Sequence, residues 1–512
     1  MTIKTLIQPF FFSIFLFCSL YGNAKNFNVK DFGATGNGKT DDKAAIQATI
    51  NAAANNMGNS VFFPKGIYLI GSYISTPNYF ENYCLKMQSN LKFCGEGTTS
   101  IIRLKSHLFD KRDSFANAHI FYGVNISNVS FENLFFDMNG RFNLAPENVI
   151  KNNCAIFIDH GSNIQIKKIT AVNCAGRNML IIKGAGKNII IDSNCFYNGG
   201  NYVGFPKANK YQTDFSFIYC EWDSAIITNN HIEQKNIDIA LNGYTGGIEI
   251  HGSYSYAAYN AIIGCYPGFF ISSTWQPMIN TKIENNQMLQ CLKGISFWIH
   301  YPLTNISILN NTIELTHSRL LKPSILAGID VPNGNEVNYN FKLANNAPLN
   351  NLQISGNSIT TKATDKVTDK FAGMVLHSLK NSIIKNNRIA NMNYGGLVFQ
   401  GSKWGMENVT VSNNNFVDFK NNDDPKAVGG YIIITDTYSP NIKNAPGIKN
   451  INFENNRFTR TALRLSSNKL AKNKGVFLGA FVALPEKMLK EIHFNNNQFQ
   501  DKTEGVRFVK TN

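Results

Sequence analysis

The segment NISILNNTI, Asn305 to Ile313, contains the pattern that decides the fold. An asparagine is followed by apolar residues at alternate positions, then by an Asn-Asn turn and a further apolar residue. The pattern recurs along most of the chain, and neighbouring copies often follow one another at similar intervals, with larger gaps where loops are inserted. The other copies begin at Asn128, Asn188, Asn280, Asn351, Asn381, Asn408, Asn450 and Glu491.

Each copy consists of short strands separated by a tight turn, because apolar residues at every second position are typical of a strand with one buried face. Asparagine suits the turn because it tolerates left-handed backbone conformations. A further apolar run, such as GGIEIHG from Gly246 to Gly252, precedes each copy. Equivalent runs of about three strands per repeat would stack as parallel sheets. The sequence therefore predicts an all-β fold, a right-handed parallel β-helix solenoid; a β-sandwich or barrel is the alternative.

The N-terminal part of the chain carries two separate signals. Residues 1–24 combine one lysine, a short apolar run and small residues before a cleavage point after Ala24, which predicts a signal peptide and a secreted or periplasmic protein. Residues 25–512 then form a single β-helix domain, with the N-terminal cap and first coils in residues 25–100. Within this cap, Lys43 to Ala54 has helical periodicity and predicts a short capping helix.

Composition restricts the partners. The 512 residues are only 16% charged, which excludes a coiled coil, and the net charge of +15 favours an anionic partner. The excess lysine and arginine form no long block, so nucleic acid is not expected. No later segment could span a membrane. Cys84 and Cys94 could pair in an oxidising compartment, and the absence of a Cys-x-x-Cys pair argues against zinc.

The opening residues FNVKDFGATGNGKTDDKAAIQATINAA, from Phe27 to Ala53, and VFFPKGIYLI, from Val61 to Ile70, resemble the N-terminal signature of the pectate-lyase-like superfamily. The resemblance implies a β-helix that acts on a polysaccharide, as polygalacturonases, rhamnogalacturonases, polysaccharide lyases, epimerases and phage tailspike depolymerases do. Gly33 to Thr40 also satisfies the phosphate-loop pattern. Asp41 and Asp42 follow it and would repel phosphate, so no nucleotide is expected.

Chemistry in such a solenoid belongs on an outer face, where polar residues end the apolar runs, among them Asp159 and His160. The densest group lies in CEWDS, Cys220 to Ser224, and in the run that contains Glu249. Glu221 and Glu249 are as far apart in the chain as Asp223 and His251, by about one coil, which predicts that each pair stacks in one exposed patch. Crowded carboxylates favour a general acid beside a general base. The predicted catalytic residues are Glu249 as acid, Asp223 as base or nucleophile, Glu221, and His251 as a group that orients the sugar.

Aromatic and basic side chains near this patch are predicted to bind substrate, because aromatic faces stack on sugar rings. They are Trp222, Trp275, Trp298, Tyr254, Tyr301, His300 and Lys183. Trp222, Trp275 and Trp298 are expected on the same side as Glu249. No metal site is predicted, although the acidic patch leaves Ca²⁺ possible.

The sequence therefore indicates an exported enzyme that binds and cleaves an acidic polysaccharide, as a monomer or trimer. Hydrolysis is slightly favoured, although the Asn-Thr-Asp, Asp-Asp and Gly-His-Gly motifs of polygalacturonase-like hydrolases are missing from the expected coils, which argues against a standard polygalacturonase. A lyase with His251 or His300 as base and Tyr254 or Tyr301 as acid is the first alternative. A uronate epimerase, and a non-catalytic glycan-binding or adhesin β-helix, are the others.

Overall fold

The fold was analysed in a computed structural model of the chain, and the predicted signal peptide lies outside the described residues except for Ala24. The structure describes residues 24–55, 57–78, 81–108, 118–143, 153–174, 178–199, 215–235, 245–317, 325–331, 349–362, 369–400, 405–418, 430–435, 447–459, 480–499 and 506–511.

The chain winds into a right-handed parallel β-helix, as predicted. Within the described residues every strand-to-strand pairing is parallel, apart from an isolated antiparallel bridge between Ile74 and Tyr83. Each coil contributes strands to three ladders, of which the first two join into one sheet of 27 strands and the third forms a sheet of 15. Parallel stacking satisfies the backbone hydrogen bonds of each strand on the coils before and after it.

In three early coils one long strand serves both the first and the second ladder. These strands are His119–Glu132, Ile156–Lys167 and Leu180–Asp192. The remaining strands of the first ladder are Tyr83–Lys86, Phe215–Cys220, Thr245–Ile250, Phe269–Ser272, Ile295–Trp298, Ile325–Val331, Lys370–Leu376, Gly395–Gln400, Gly430–Thr435, Ala480–Pro485 and Val506–Thr511.

The second and third ladders complete each coil. The remaining strands of the second ladder are Asn26–Asn28, Ser60–Phe63, Lys92–Gly95, Asp223–Thr228, Tyr256–Ala258, Met278–Ile279, Lys282–Glu284, Leu303–Leu309, Leu349–Ser355, Leu379–Lys385, Met406–Ser412, Ile448–Glu454 and Ile492–Asn495. The third ladder consists of Asn37–Asp41, Gly66–Ile70, Ser100–Leu104, Phe135–Asp137, Thr170–Val172, Cys195–Tyr197, His231–Glu233, Ala261–Ile263, Gln287–Cys291, Thr312–Leu315, Ser358–Thr361, Arg388–Ala390, Asn415–Val417, Arg457–Thr459 and Gln498–Phe499.

The core is a set of apolar side chains stacked along the solenoid axis. Ile218, Ile248, Phe269 and Ile295 pair in register on successive coils of the first ladder, and all are fully buried. Since side chains alternate across a strand, the residues between these core positions point to the outer face of the ladder. The outer face is therefore the place where side chains are free to differ from coil to coil.

A row of asparagines explains the repeated Asn-rich turn. In this asparagine row, each side-chain amide donates to the side-chain oxygen of the asparagine one coil further on, at 2.9–3.0 Å. The same oxygens accept backbone N–H groups of the preceding coil. The row consists of Asn194, Asn230, Asn260, Asn286, Asn311, Asn357, Asn387, Asn414, Asn456 and Asn497. Buried amides that are satisfied in this way fix the coil-to-coil spacing.

The predicted capping helix spans Lys43–Ala53 and covers the first coils; a second helix, Glu486–Leu489, lies near the other end. Three short 3₁₀ helices span Val29–Phe32, Gly97–Thr99 and Gly140–Phe142. None of the helices in the described residues combines the length and apolar character needed to cross a bilayer.

The loop that resembles a phosphate-binding motif is already occupied by a carboxylate. Asp42 Oδ1 accepts the backbone N–H of Thr35 at 2.6 Å, and Asp42 Oδ2 accepts that of Gly36 at 3.1 Å. The amides that would cradle a phosphate therefore bind the protein's own side chain. The cysteines of the described residues are free thiols, including Cys84 and Cys94, so the two do not form the disulfide that the sequence left open.

Candidate active site

The polar side chains of the site lie on the outer face of the first ladder, at its junction with the second. Asp159 pairs with Lys183 on the next coil, and three coils further on Ser272 pairs with Trp298. Glu221 and His251 lie on the two coils between Lys183 and Ser272. They directly follow Cys220 and Ile250, which pair in register, so their side chains continue the ladder. We name these side chains on successive coils the site row: Asp159, Lys183, Glu221, His251, Ser272 and Trp298.

The register observed in this region differs from the one that the sequence predicted. Glu249 pairs with Tyr219, and Cys220 pairs with Ile250, so this coil is longer than the predicted spacing. Glu221 is therefore the neighbour of His251. Asp223 lies opposite Lys187 at the start of the second ladder, and its Oδ1 accepts the backbone N–H of Ser253 at 2.7 Å. The predicted pairs, Glu221 with Glu249 and Asp223 with His251, were wrong.

The first part of the site row is a cluster of ionisable groups around Asp159. Asp159 Oδ1 lies 2.6 Å from His160 Nδ1, and Asp159 Oδ2 lies 3.1 Å from Lys183 Nζ. Lys183 Nζ is also 3.8 Å from Glu81 Oε1, and Glu81 accepts the hydroxyl of Tyr122 at 2.8 Å. Solvent reaches this cluster, since the side chain of His160 is 49% exposed. An imidazole, an ammonium and a carboxylate are thus held together within reach of a ligand.

Gly184 lies between Glu221 and Asp159. Glu221 Oε2 accepts the backbone N–H of Gly184 at 2.6 Å, and Glu221 Oε1 accepts the hydroxyl of Tyr219 at 2.5 Å. A Cβ atom on Gly184, where φ is +70°, would come within 2.5 Å of both Asp159 Oδ1 and His160 Nδ1. Standard bond lengths then limit the distance between the Asp159 and Glu221 carboxylates to about 8 Å. Two partly exposed carboxylates therefore face each other across a position that only glycine fits.

Glu249 and His251 lie beside this pair but are not exposed as predicted. Glu249 is 4% and His251 5% exposed, and His251 Nε2 lies 2.8 Å from Glu249 Oε1. Ser216 Oγ donates to Glu249 Oε2 at 2.9 Å. Glu249 does point away from the core, as predicted, but its neighbours on the adjacent coils, Tyr219 and Phe270, flank it. The prediction of one exposed patch was wrong, and the catalytic roles assigned to Glu249, Asp223 and His251 stay predictions.

Of the three tryptophans predicted on the side of Glu249, Trp222 is a core residue and that prediction was wrong. The chain bends between Cys220 and Asp223, which turns the indole inward, where it is fully buried. A Cβ on Gly186 would lie 2.2 Å from the indole, and the indole N–H donates to the Lys183 carbonyl at 3.0 Å. The sequence contained a signal for this position, because Gly161 and Gly186 pair in register and leave space beneath the indole.

The other aromatic residues that were predicted to bind sugar lie towards the C-terminal end of the site row. Trp275 is 61% exposed, and its indole N–H lies 3.4 Å from the hydroxyl oxygen of Tyr219. Trp298 donates its indole N–H to His300 Nε2 at 2.7 Å. Tyr254 and Tyr301 are exposed, whereas His300 is buried. The structure thus leaves Trp275, Tyr254 and Tyr301 open to a ligand.

Burial shifts the proton affinity of several groups at the site. It raises the pKa of Tyr219, and the nearby carboxylates of Glu249 and Glu221 raise it further, so the phenol stays protonated. Burial lowers the pKa of His300, and the nearby His251 acts in the same direction. Within the described part of the chain, no group of three or more His, Cys, Asp or Glu side chains is arranged to hold a metal ion.

Asp159 and His160 belong to the predicted polar ladder but not to the predicted site residues, and Tyr219 was not predicted at all. The separations along the site row are irregular, because the step from Lys183 to Glu221 is much longer than the step from Asp159 to Lys183. A prediction that assumes a constant coil length therefore does not identify Asp159 and Glu221 as neighbours. The sequence signal that could have identified the site row is the polar residue that directly follows the core residues Ile182, Cys220 and Ile250.

Known proteins similar to this chain share its fold and show to which family it belongs. The family model described as "Rhamnogalacturonase A/epimerase, pectate lyase-like" matches residues 26–296, more than half of the chain, so the chain belongs to this family. It is also similar to solved β-helices, among them the tailspike protein of E. coli bacteriophage HK620 in complex with a pentasaccharide. That match has a TM-score of 0.65 and 14% identity, and covers 94% of this chain and 80% of the tailspike chain. At this identity the likeness shows the fold alone.

Two curated relatives match shorter stretches. Plasmin and fibronectin-binding protein A of Streptococcus pneumoniae is 29% identical over 180 residues, which are 33% of this chain and 24% of that protein. Mannuronan C5-epimerase AlgE2 of Azotobacter vinelandii is 35% identical over 114 residues, which are 22% of this chain and 11% of that protein. The chain thus spans a quarter or less of the length of these two relatives.

Proposed function

We propose that this protein binds an acidic polysaccharide along the outer face of the first ladder and cleaves it by hydrolysis, with Asp159 and Glu221 as the catalytic carboxylates. The observation that carries the proposal is their separation of at most about 8 Å across Gly184. Glycosidases use two carboxyl groups about 5–9.5 Å apart on either side of the scissile bond. Membership of a family described by a rhamnogalacturonase and an epimerase supports action on a polysaccharide.

The contacts of the two carboxylates favour different roles. Glu221 accepts hydrogen bonds from Gly184 N–H and the Tyr219 hydroxyl, which hold both of its oxygens in place as acceptors. It therefore acts as the base that removes a proton from the attacking water. Asp159 shares a hydrogen bond with the accessible imidazole of His160. As water attacks the anomeric carbon and the glycosidic bond breaks, this pair gives a proton to the leaving oxygen.

The remaining residues at the site support the binding of a glycan. The exposed rings of Trp275, Tyr301 and Tyr254 provide apolar faces for sugar rings, and Lys183 provides a cation beside the carboxylates. The net charge of +15 favours a substrate that carries uronate or sulfate groups. Export from the cell would bring the protein to such a substrate.

One observation favours a second reaction. The exposed His160 lies beside Asp159, which in turn contacts Lys183. A neutral imidazole could remove the C5 proton of a uronate while an ammonium offsets its carboxylate charge. The C4–C5 double bond then forms as the C4–O glycosidic bond breaks and the leaving oxygen takes up a proton, which is the chemistry of a lyase. This site is more accessible than the predicted lyase bases His251 and His300, which are buried.

Incubation with a panel of uronate-containing, sulfated and neutral polysaccharides tests the proposal, with reducing ends and the ultraviolet absorbance of unsaturated products measured together. Hydrolysis releases reducing ends without absorbance, and elimination releases both. Asp159→Asn and Glu221→Gln should abolish the hydrolysis while preserving glycan binding. Binding without cleavage by the wild-type protein would contradict the proposal and favour an adhesin.

A further inference from the structure

A buried acid–base pair lies directly behind the site row. His251 Nε2 and Glu249 Oε1 are 2.8 Å apart, and Ser216 Oγ donates to the second carboxylate oxygen of Glu249 at 2.9 Å. The side chains of Glu249 and His251 are 5% and 6% exposed. Such a pair is costly to break, because removal of one member leaves a buried polar group of the other without this hydrogen bond.

Tyr219 connects this pair to Glu221. Its strand position is in register with Glu249 on the next coil, and the centroid of its ring lies 4.8 Å from that of His251. Its hydroxyl donates to Glu221 Oε1 at 2.5 Å and receives the indole N–H of Trp275 at 3.4 Å. The phenol ring therefore packs against the buried pair while its hydroxyl reaches the site row.

We propose that Glu249 and His251 are positioning residues that fix the ring of Tyr219, so that its hydroxyl always donates to Glu221 and keeps this side chain an ionised carboxylate. The inference rests on the proposed function only in taking Glu221 as the catalytic base. It gives the buried pair a role at the site that requires no contact with substrate.

The direction of the hydrogen bond follows from the surroundings of the phenol. The pKa of Tyr219 is raised by burial and by the two carboxylates, so the phenol retains its proton at neutral pH. A phenol with a proton offers one donor, and Glu221 takes it. The titratable or charged groups on the elements around Glu221 are Tyr219, Cys220, Asp223, Asp159, His160, Lys183, His251 and Glu249.

Carbodiimide labelling tests this role without a substrate, because the reagent couples an amine to protonated carboxyl groups. Labelling of Glu221 in the full chain is followed by peptide mass spectrometry as a function of pH, in wild type, Tyr219→Phe, Glu249→Gln and His251→Gln. Loss of the phenol donor should raise the pH of half-maximal Glu221 labelling by about one unit. Glu249→Gln and His251→Gln should raise it by about half as much, since they loosen the ring but keep the hydroxyl.

Tyr256→Phe is the matched control, because the Tyr256 hydroxyl donates to Glu284 Oε1 at 2.7 Å in the second ladder, away from the site row. It should shift the labelling of Glu284 and leave that of Glu221 unchanged. Thermal unfolding of each variant checks that it is folded, and Ser216→Ala provides a milder change if Glu249→Gln is not. A Glu221 profile that moves in Tyr219→Phe but stays at the wild-type pH in the folded variants of the pair would overturn the inference. Since labelling needs no turnover, its result is independent of whether the protein cleaves a glycan.

Discussion

The asparagine row and the site row both run along the described part of the solenoid, and they differ in almost every property. The asparagine row repeats one residue type on successive coils, is buried over most of its length, and satisfies each amide on the next coil. The site row changes residue at every coil, from carboxylate to ammonium to carboxylate to imidazole, and part of it is open to solvent. Both rows use the same coil-to-coil stacking of parallel strands.

The difference distinguishes the residues that stabilise the solenoid from those that provide its chemistry. Identical asparagines can pass one hydrogen-bond pattern from coil to coil, so the row stabilises any number of repeats. A row of different ionisable groups cannot repeat one hydrogen-bond pattern from coil to coil. Opposite charges held at close range are instead typical of a functional site. The regular row should therefore govern stability and the irregular row activity, and each of the following experiments tests that division.

The largest effect is expected at Glu221. Glu221→Gln keeps the shape of the side chain but removes the base, so hydrolysis should fall by about 10²–10⁴-fold while thermal unfolding stays unchanged. Reducing-end release and a thermal melt measure the two properties. Glu284→Gln, in the second ladder, is the control that should keep full activity. Full activity in Glu221→Gln together with its loss in Glu249→Gln would move the catalytic role to Glu249, as the sequence predicted.

The converse experiment removes a member of the asparagine row. The Asn286 amide donates to Asn311 Oδ1, and its own side-chain oxygen accepts from Asn260. Asn286→Ala leaves buried partners unsatisfied and should lower the free energy of unfolding by about 3 kcal/mol. Urea denaturation measures the loss, and activity at low temperature should survive it. Asn305→Gly is the exposed counterpart. The Asn305 side chain bonds Asn280 and Asn351 at the surface, where water can replace both bonds. Glycine accommodates the φ of +57° at this position, so stability should change little.

Gly184 tests whether the spacing of the two carboxylates matters. Gly184→Ala places a methyl group within 2.5 Å of Asp159 and His160, and should reduce cleavage by about 10–10²-fold. Gly97→Ala is matched in backbone strain, since φ is +68° there against +70° at Gly184, but its Cβ would meet no atom within 4 Å. Equal activity in the two variants would argue against a functional role for the close approach.

The exposed aromatic side chains should affect binding more than turnover. Trp275→Ala removes a stacking surface and should raise KM about 10-fold with kcat little changed. Trp222→Phe alters a tryptophan of the core and should lower the thermal stability without raising KM. Steady-state kinetics on the cleaved glycan compares the two, and an unchanged KM in Trp275→Ala would exclude this residue from the binding surface.

The smallest effect concerns pH. Because burial lowers the pKa of His300, the unfolded chain binds a proton there that the folded protein does not. Its contribution to stability is complete above the unfolded pKa of about 6.5 and is lost as the pH falls through the lower folded value. His300→Gln retains an acceptor for Trp298 and should lose about one degree less in Tm than wild type between about pH 7.5 and pH 5, which lie above and below that unfolded pKa. His231→Gln, at a partly exposed histidine, is the control, and parallel melting profiles of wild type and His300→Gln would contradict the expectation.

Much of the fold could be predicted because its signals are local and repeated. The period-2 runs indicated the parallel strands, the Asn-rich turns indicated the coil corners, and the periodicity of Lys43 to Ala54 indicated the capping helix, which ends one residue earlier. The outward direction of Glu249 also followed from alternation between Ile248 and Ile250. The inward turn of Trp222 did not, because it depends on a bend between two ladders and on space beside Gly186.

The sequence alone determined the class of fold, the family resemblance and the outer face on which polar residues would collect, because each depends on residues close together in the chain. Only the tertiary structure decided which of those residues meet. Asp159 and Glu221 are distant in the chain and are brought together by two coils of unequal length, whereas the separation of Glu221 from Glu249, which suggested one coil, corresponds to no stacked pair. In a solenoid, the length of every inserted loop shifts the register, and periodicity in the strands contains no information about that length.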